Sequence, residues 1–189
     1  MGKDAINLFG DNSNIWLVGR AVCAKNEPGD EFAFRIHLAN LFNYVRGDRD
    51  INYAYVAGSV PPPSDGVWKR FRALNIKVDK QQRGLDGKEV AVDEAIQLAM
   101  ANRVIDLLPK TETIVLLTGD GAGYSHGRGF ISALERAVTK GFKIEVVSWD
   151  AGVNPRLRQF AQANGTYTPL EPGYDKITFI NNKRWATPL

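Results

Sequence analysis

Short apolar runs alternate with longer segments of helical periodicity along this chain, and that alternation limits the fold more than any other feature. Residues 5–9 (AINLF) read as a first strand, 51–57 (INYAYVA) as a second and 76–78 as a weaker third. Residues 113–118 (TIVLLT) and 142–149 (FKIEVVSW) supply two more. Between them, Phe34, Leu38, Leu41, Phe42 and Val45 recur at helical spacing, which predicts a helix over 31–45. Val92, Ile96, Ala99, Met100, Val104 and Leu107 repeat the pattern up to Pro109, and Phe130, Leu134 and Val138 repeat it up to Gly141. Asn154 followed by Pro155 is a helix start, because proline at the first helical position has no amide to waste. Strands that are apolar at every position, such as Ile114 to Leu117, need cover on both faces. The expected fold is therefore a three-layer α/β/α sandwich with a mostly parallel central sheet.

The remaining bounds are quickly drawn. A chain of 189 residues suits one domain over 1–189, with 165–189 as a C-terminal edge strand near residues 177–180 or a tail. No apolar run approaches the about 18 residues of a membrane span, so no membrane is expected. The start, Met1-Gly2-Lys3-Asp4, has no signal-peptide core, and Ile6 spoils a myristoylation match. One cysteine, Cys23, excludes an internal disulfide and a thiol-rich zinc site, so a cytoplasmic protein is expected. A homodimer is left open.

In open parallel sheets, ligands sit beyond the carboxyl ends of the strands, where the strand order reverses. Two of those ends look alike. Phe9-Gly10-Asp11-Asn12-Ser13-Asn14 closes the first strand, and Leu117-Thr118-Gly119-Asp120-Gly121 closes the strongest later one. Each sets glycine and then aspartate just past an apolar run. Were the strands neighbours, Asp11 and Asp120 would converge, and converging carboxylates call for a hard cation such as Mg2+ or Mn2+. The competing reading is helix capping, which aspartate does well. A third carboxylate, Asp93, follows Val92; if Asp86 caps that helix with Glu89 in its first turn, Asp93 falls one turn on. Asp93 and Glu94 read equally as the solvated face of an amphipathic helix.

These blocks resemble the NYN domain family, a branch of the PIN-like metal-dependent ribonucleases. Leu8 to Asn14 resembles its opening motif, with asparagine three positions after aspartate; Lys88 to Asp93 resembles its internal Val-Asp block; Leu116 to Asp120 resembles its Ser/Thr-Gly-Asp motif. The order of the blocks over residues 5–150 also fits. One departure stands out. Many members carry a further aspartate two residues after the Ser/Thr-Gly-Asp motif, where this chain has Ala122 and then Gly123 in a glycine-rich loop containing His126. A two-ion site is thereby disfavoured.

The resemblance implies hydrolysis of phosphodiester bonds in single-stranded RNA by a metal-dependent endoribonuclease. Asp11, Asp93 and Asp120 would bind Mg2+ or Mn2+, Asn14 would orient a carboxylate or touch substrate, and Thr118 would hold the strand end. The alternative is a non-catalytic RNA-binding or protein-interaction module that keeps the fold. Other phosphate devices fail: no P-loop is present, and Tyr124 stands where a dinucleotide fingerprint starting at Gly119 needs its third glycine. No histidine or cysteine makes a nucleophile–base pair, His37 lying inside the stripe of the expected 31–45 helix.

Charge locates a substrate surface. The net charge is only +3, yet residues 67–88 hold seven Lys or Arg against two Asp or Glu. Trp68-Lys69-Arg70-Phe71-Arg72 mixes rings and cations, as a nucleic-acid surface does, or as an amphipathic helix does when it buries Trp68, Phe71 and Leu74. Pro61-Pro62-Pro63 would stiffen the loop before it. Lys69, Arg70, Arg72, Lys88 and Arg128 are the expected phosphate contacts.

Overall fold

Strand β1 (Ile6–Asp11) is buried at all six positions, which only a central strand covered on both faces allows. In the computed structural model, which describes residues 5–59, 66–82, 91–108, 112–121 and 128–188, β1 lies between two parallel partners. These are β3 (Ile51–Ser59) and β5 (Thr113–Leu117). Beyond β3 lies β4 (Lys77–Gln81); beyond β5 lie β6 (Lys143–Ser148) and β7 (Thr166–Pro169), every pairing parallel. The order β4-β3-β1-β5-β6-β7 is that of a doubly wound sheet, with the chain changing direction of travel between β1 and β5.

The apolar strands feed two cores. Leu8, Val56, Val115, Leu117 and Val147 point to one face, under α1 (Asn12–Asn26), α2 (Leu38–Arg46) and α3 (Gly66–Ala73). Phe9, Ala57, Ile114, Leu116 and Val146 point to the other, under α4 (Val92–Leu107), α5 (Phe130–Thr139) and α6 (Pro155–Asn164). The three-layer sandwich expected from the sequence is the observed architecture. No helix among the described residues is long and apolar enough to cross a membrane.

Local signals were followed closely at some helix ends. Asn154 Oδ1 accepts from the Arg156 amide at 3.0 Å, with Pro155 opening α6. Gly141 follows α5 at φ +87°, and the Phe142 amide returns to the Ala137 carbonyl at 3.1 Å.

Three expectations need correcting. The helix expected over 31–45 is split: Phe34–Ile36 forms strand β2, and α2 begins only at Leu38. His37 is therefore not inside a stripe; it caps α2, its Nδ1 accepting from the Asn40 amide at 3.2 Å. Tertiary pairing outvotes local periodicity here, because β2 pairs antiparallel with β8 (Thr178–Ile180), Phe34 opposite Ile180 and Ile36 opposite Thr178. For the same reason residues 178–180 do not edge the main sheet; β7 does. Lastly, α4 starts at Val92, after Ala91 in the left-handed region at φ 64°, so Asp93 sits in its first turn. Asp86 and Glu89 lie outside the described residues.

The C-terminal segment, which includes α7 (Tyr174–Ile177), is clasped to the end of α1. Glu27 accepts from Arg184 Nε at 2.6 Å and from the Tyr174 hydroxyl at 3.1 Å, while Arg184 also reaches the Thr178 carbonyl at 3.0 Å. At the α6–β7 turn the backbone of Gly165 passes so close to β6 that a Cβ would strike the Ile144 carbonyl oxygen. Gly165→Ala is expected to destabilise the fold by about 1–3 kcal/mol through overpacking, read as a lower urea midpoint with unchanged slope.

Candidate functional site at the carboxyl edge

Asp11 is at once the last residue of β1 and the N-cap of α1, so its side chain starts the helix at the sheet's carboxyl edge. It is only 4% exposed. Its Oδ1 accepts from the Asn14 amide at 3.0 Å, and the Thr118 hydroxyl lies 3.5 Å from Oδ2. One turn along α1, the Asn14 side chain crosses to the neighbouring strand end, where its Oδ1 accepts from the Gly119 amide at 2.8 Å. The Thr118 hydroxyl also accepts from the Asp120 amide at 3.2 Å. Its single proton is thus left to donate toward Asp11. Aspartate with asparagine three residues on, and Thr-Gly-Asp on the adjacent strand, become one cross-tied unit between β1 and β5.

Glycine at 119 and 121 is a matter of space. A Cβ at Gly119 would lie 2.5 Å from Ser148 Oγ and 3.0 Å from the Gly152 carbonyl; one at Gly121 would lie 2.5 Å from Asn154 Cγ. The Asn154 amide donates to the Gly119 carbonyl at 2.8 Å. The turn after β5 is thereby pressed against the loop after β6, which fixes the backbone around Asp120. Ser148 was not singled out from the sequence, and Asn154 only as a helix cap; a serine at a strand end and a helix cap carry no signal of what they face.

Asp93 is half-buried in the first turn of α4, a helix that packs on β1 and β3, so its end of the helix reaches the same edge. The three aspartates are nevertheless not gathered into a cage. Among the described residues, no group of three or more acidic, histidine or cysteine side chains could hold a metal ion. Nor does a substitute carboxylate complete one: Asp150 accepts from the Tyr167 hydroxyl at 2.8 Å and pairs with Arg158 at 3.1 Å, across the β6–β7 end. Glu94 is exposed on α4, beside a groove of about 510 Å³ that also contains Tyr53, Tyr55 and Lys77. In that groove burial, and then the 2.7 Å bond to Asp79, hold the Tyr55 phenol above its ordinary pKa.

On α3, Trp68 and Phe71 are buried and Phe71 meets Phe42 edge-on, while Lys69, Arg70 and Arg72 are exposed. The rings belong to the core, as the amphipathic reading has it, although Leu74 is 40% exposed beyond the helix end. Arg128 is exposed just before α5, where the Gly129 amide donates to Gln97 Oε1 at 2.9 Å. Lys88, the triproline and the loop over 122–127 with Ala122 and His126 lie outside the described residues.

The capping role and the charge of Asp11 can be separated. Asp11→Asn keeps an oxygen for the Asn14 amide, whereas Asp11→Ala removes it. The alanine variant is expected to lose about 0.5–2 kcal/mol of stability, with the asparagine variant closer to wild type, as measured by urea denaturation.

The fold itself has a relative among solved structures. A protein of unknown function from Vibrio parahaemolyticus superposes with a TM-score of 0.59 over 89% of this chain and 93% of that one, at 14% sequence identity. At that identity the likeness speaks for the fold alone. No protein-family model matches the chain, and no curated protein does.

Proposed function

We propose that the protein is a metal-dependent endoribonuclease that hydrolyses phosphodiester bonds of single-stranded RNA at the edge between β1 and β5, in the manner of the NYN domains its motifs resemble. The observation that carries this reading is the buried Asp11 carboxylate at the switch point, tied through Thr118 and Asn14 to the strand end that bears Asp120. A structural cap does not need a second aspartate held on the adjacent strand.

The donor set is one of hard carboxylate oxygens, with no three-ligand cage among the described residues. That suits Mg2+ better than a tightly caged ion, because Mg2+ keeps several waters and is commonly held by one or two carboxylates together with substrate phosphate. Asp11 and Asp120 are the residues assigned to it, with Asp93 at the same edge. When bound, such an ion polarises a phosphoryl oxygen and lowers the pKa of a water. The chain's own part is to fix geometry. Asn14 and Thr118 set the distance between the two strand ends, and the exposed Lys69, Arg70 and Arg72 attract the polyanion.

Asp120→Asn is expected to abolish Mg2+- or Mn2+-dependent cleavage of single-stranded RNA while leaving the fold intact; equal cleavage by wild type and variant would sink the proposal. Replacing Lys69, Arg70 and Arg72 by glutamine should weaken RNA binding and flatten its salt dependence by up to about 2 in log–log slope, given roughly 0.7 per phosphate contact on a single strand. An unchanged slope would remove α3 from the binding surface. That no three-ligand group occurs among the described residues favours one second reading, an RNA-binding module without turnover. It predicts the same salt dependence with no metal-dependent product.

A further inference from the structure

We propose that the outer face of the small β2–β8 sheet is a base-stacking platform that receives single-stranded RNA next to the Asp11 edge; this rests on the reading of the protein as one that acts on RNA. Trp185 is 79% exposed, more than any other large apolar side chain described, yet it is not loose. Its ring lies nearly parallel to that of Phe179, 16° apart with centroids at 6.1 Å, and His37 meets Phe179 edge-on at 6.3 Å. The backbone is pinned on both sides of Trp185. Ile180 and Arg184 exchange amide–carbonyl bonds at 2.8 and 3.0 Å, and the Thr187 amide donates to the Asp175 carbonyl at 2.9 Å.

An ordered indole stacked on one side and open to water on the other offers a π-face to any base. A cation accompanies it. Arg35 lies directly opposite Phe179 in the strand register, and its guanidinium donates to the carbonyls of Phe32 and Phe34, neutral partners that leave its positive charge in place. In the C-terminal segment Lys183 and Arg184 are matched by Asp30 and Glu27, so the positive charge at this face is that of Arg35. A row of rings beside a guanidinium held by neutral carbonyls suits a single strand, which brings both π-faces and phosphates.

Position connects the platform to the proposed chemistry. Ile36 and Leu38, the two neighbours of His37, line a small buried cavity together with Gly10, Asp11 and Asn12. His37 is therefore two short steps through the packing from the Asp11 carboxylate. The small sheet that carries the platform thus lies beside the β1–β5 edge.

The test uses the full chain and a fluorescein-labelled oligouridylate read by anisotropy. Trp185→Ala should weaken binding roughly tenfold or more, since losing a stacked base costs that much. Trp185→Phe should restore most of it, and the salt slope should not move, because stacking releases no counterions. Arg35→Gln should weaken binding and lower the slope. Wild-type affinity in Trp185→Ala overturns the platform, even if Asp120→Asn still abolishes cleavage and the nuclease reading stands. Wild-type protein that neither binds nor cuts the oligonucleotide overturns both. A wild-type dimer that Trp185→Ala turns into monomers with unchanged RNA affinity makes this face a self-association surface instead, and also overturns it.

Discussion

The buried carboxylate of Asp11 is the point on which the carboxyl edge depends. A charged side chain that is 4% exposed is costly to bury unless hydrogen bonds replace its water. Here the Asn14 amide satisfies it from the helix it caps, and the Thr118 hydroxyl from the neighbouring strand. One residue thus ends the central strand, begins the first helix and fastens β1 to β5. The same bonds fix the backbone of Gly119 and Asp120, through Asn14 and Thr118 respectively. Structural and functional readings of Asp11 are not rivals. A group positioned this firmly is what reaction chemistry at a strand end requires.

What could be read from the sequence follows how local each signal was. Continuous apolar strands implied two-sided burial, and the two faces of β5 do enter different cores, Val115 and Leu117 on one side, Ile114 and Leu116 on the other. Asn154-Pro155 and Gly141 announced helix ends through backbone chemistry that needs no distant partner. Phe34 defeated the same reasoning. Its spacing to Leu38 is helical, but its ring is needed beside Gly19 and Trp149, and β8 supplies a strand partner from the far end of the chain. Helix α1 offered little to read, since glycine, asparagines and a basic residue interrupt its apolar positions. At the site, adjacency of Asp11 and Asp120 was inferable because equivalent strand ends share an edge. The crossing of the Asn14 side chain to the Gly119 amide, and the bond from the Asn154 amide to the Gly119 carbonyl, were not, because they depend on the sheet order.

Charge shows a similar division. Glu145 is buried on β6 and is matched by Arg49 at 2.8 Å and Thr168 at 2.7 Å; Asn7 in β1 is matched by Arg103 at 2.7 Å and Glu112 at 2.8 Å. These buried polar groups are spent on holding strands and helices in register. The α3 cations Lys69, Arg70 and Arg72 are exposed, on a helix that buries its rings Trp68 and Phe71. A net charge of +3 conceals this, because structural pairs cancel while the 67–88 segment does not.

The sparse acidic set and the surrounding cations become consistent once the order of binding is considered. Among the described residues no three carboxylates gather into a metal-holding group, so their mutual repulsion is limited. On the proposed reading, an arriving phosphate would bring both negative charge and oxygen donors for a hydrated Mg2+. On the proposed reading, the exposed Lys69, Arg70 and Arg72 on α3 would attract the polyanion, while the carboxyl edge of β1 and β5, fixed through Asn14 and Thr118, would supply the oxygens for the ion. Attraction and chemistry would then fall to different elements of the fold.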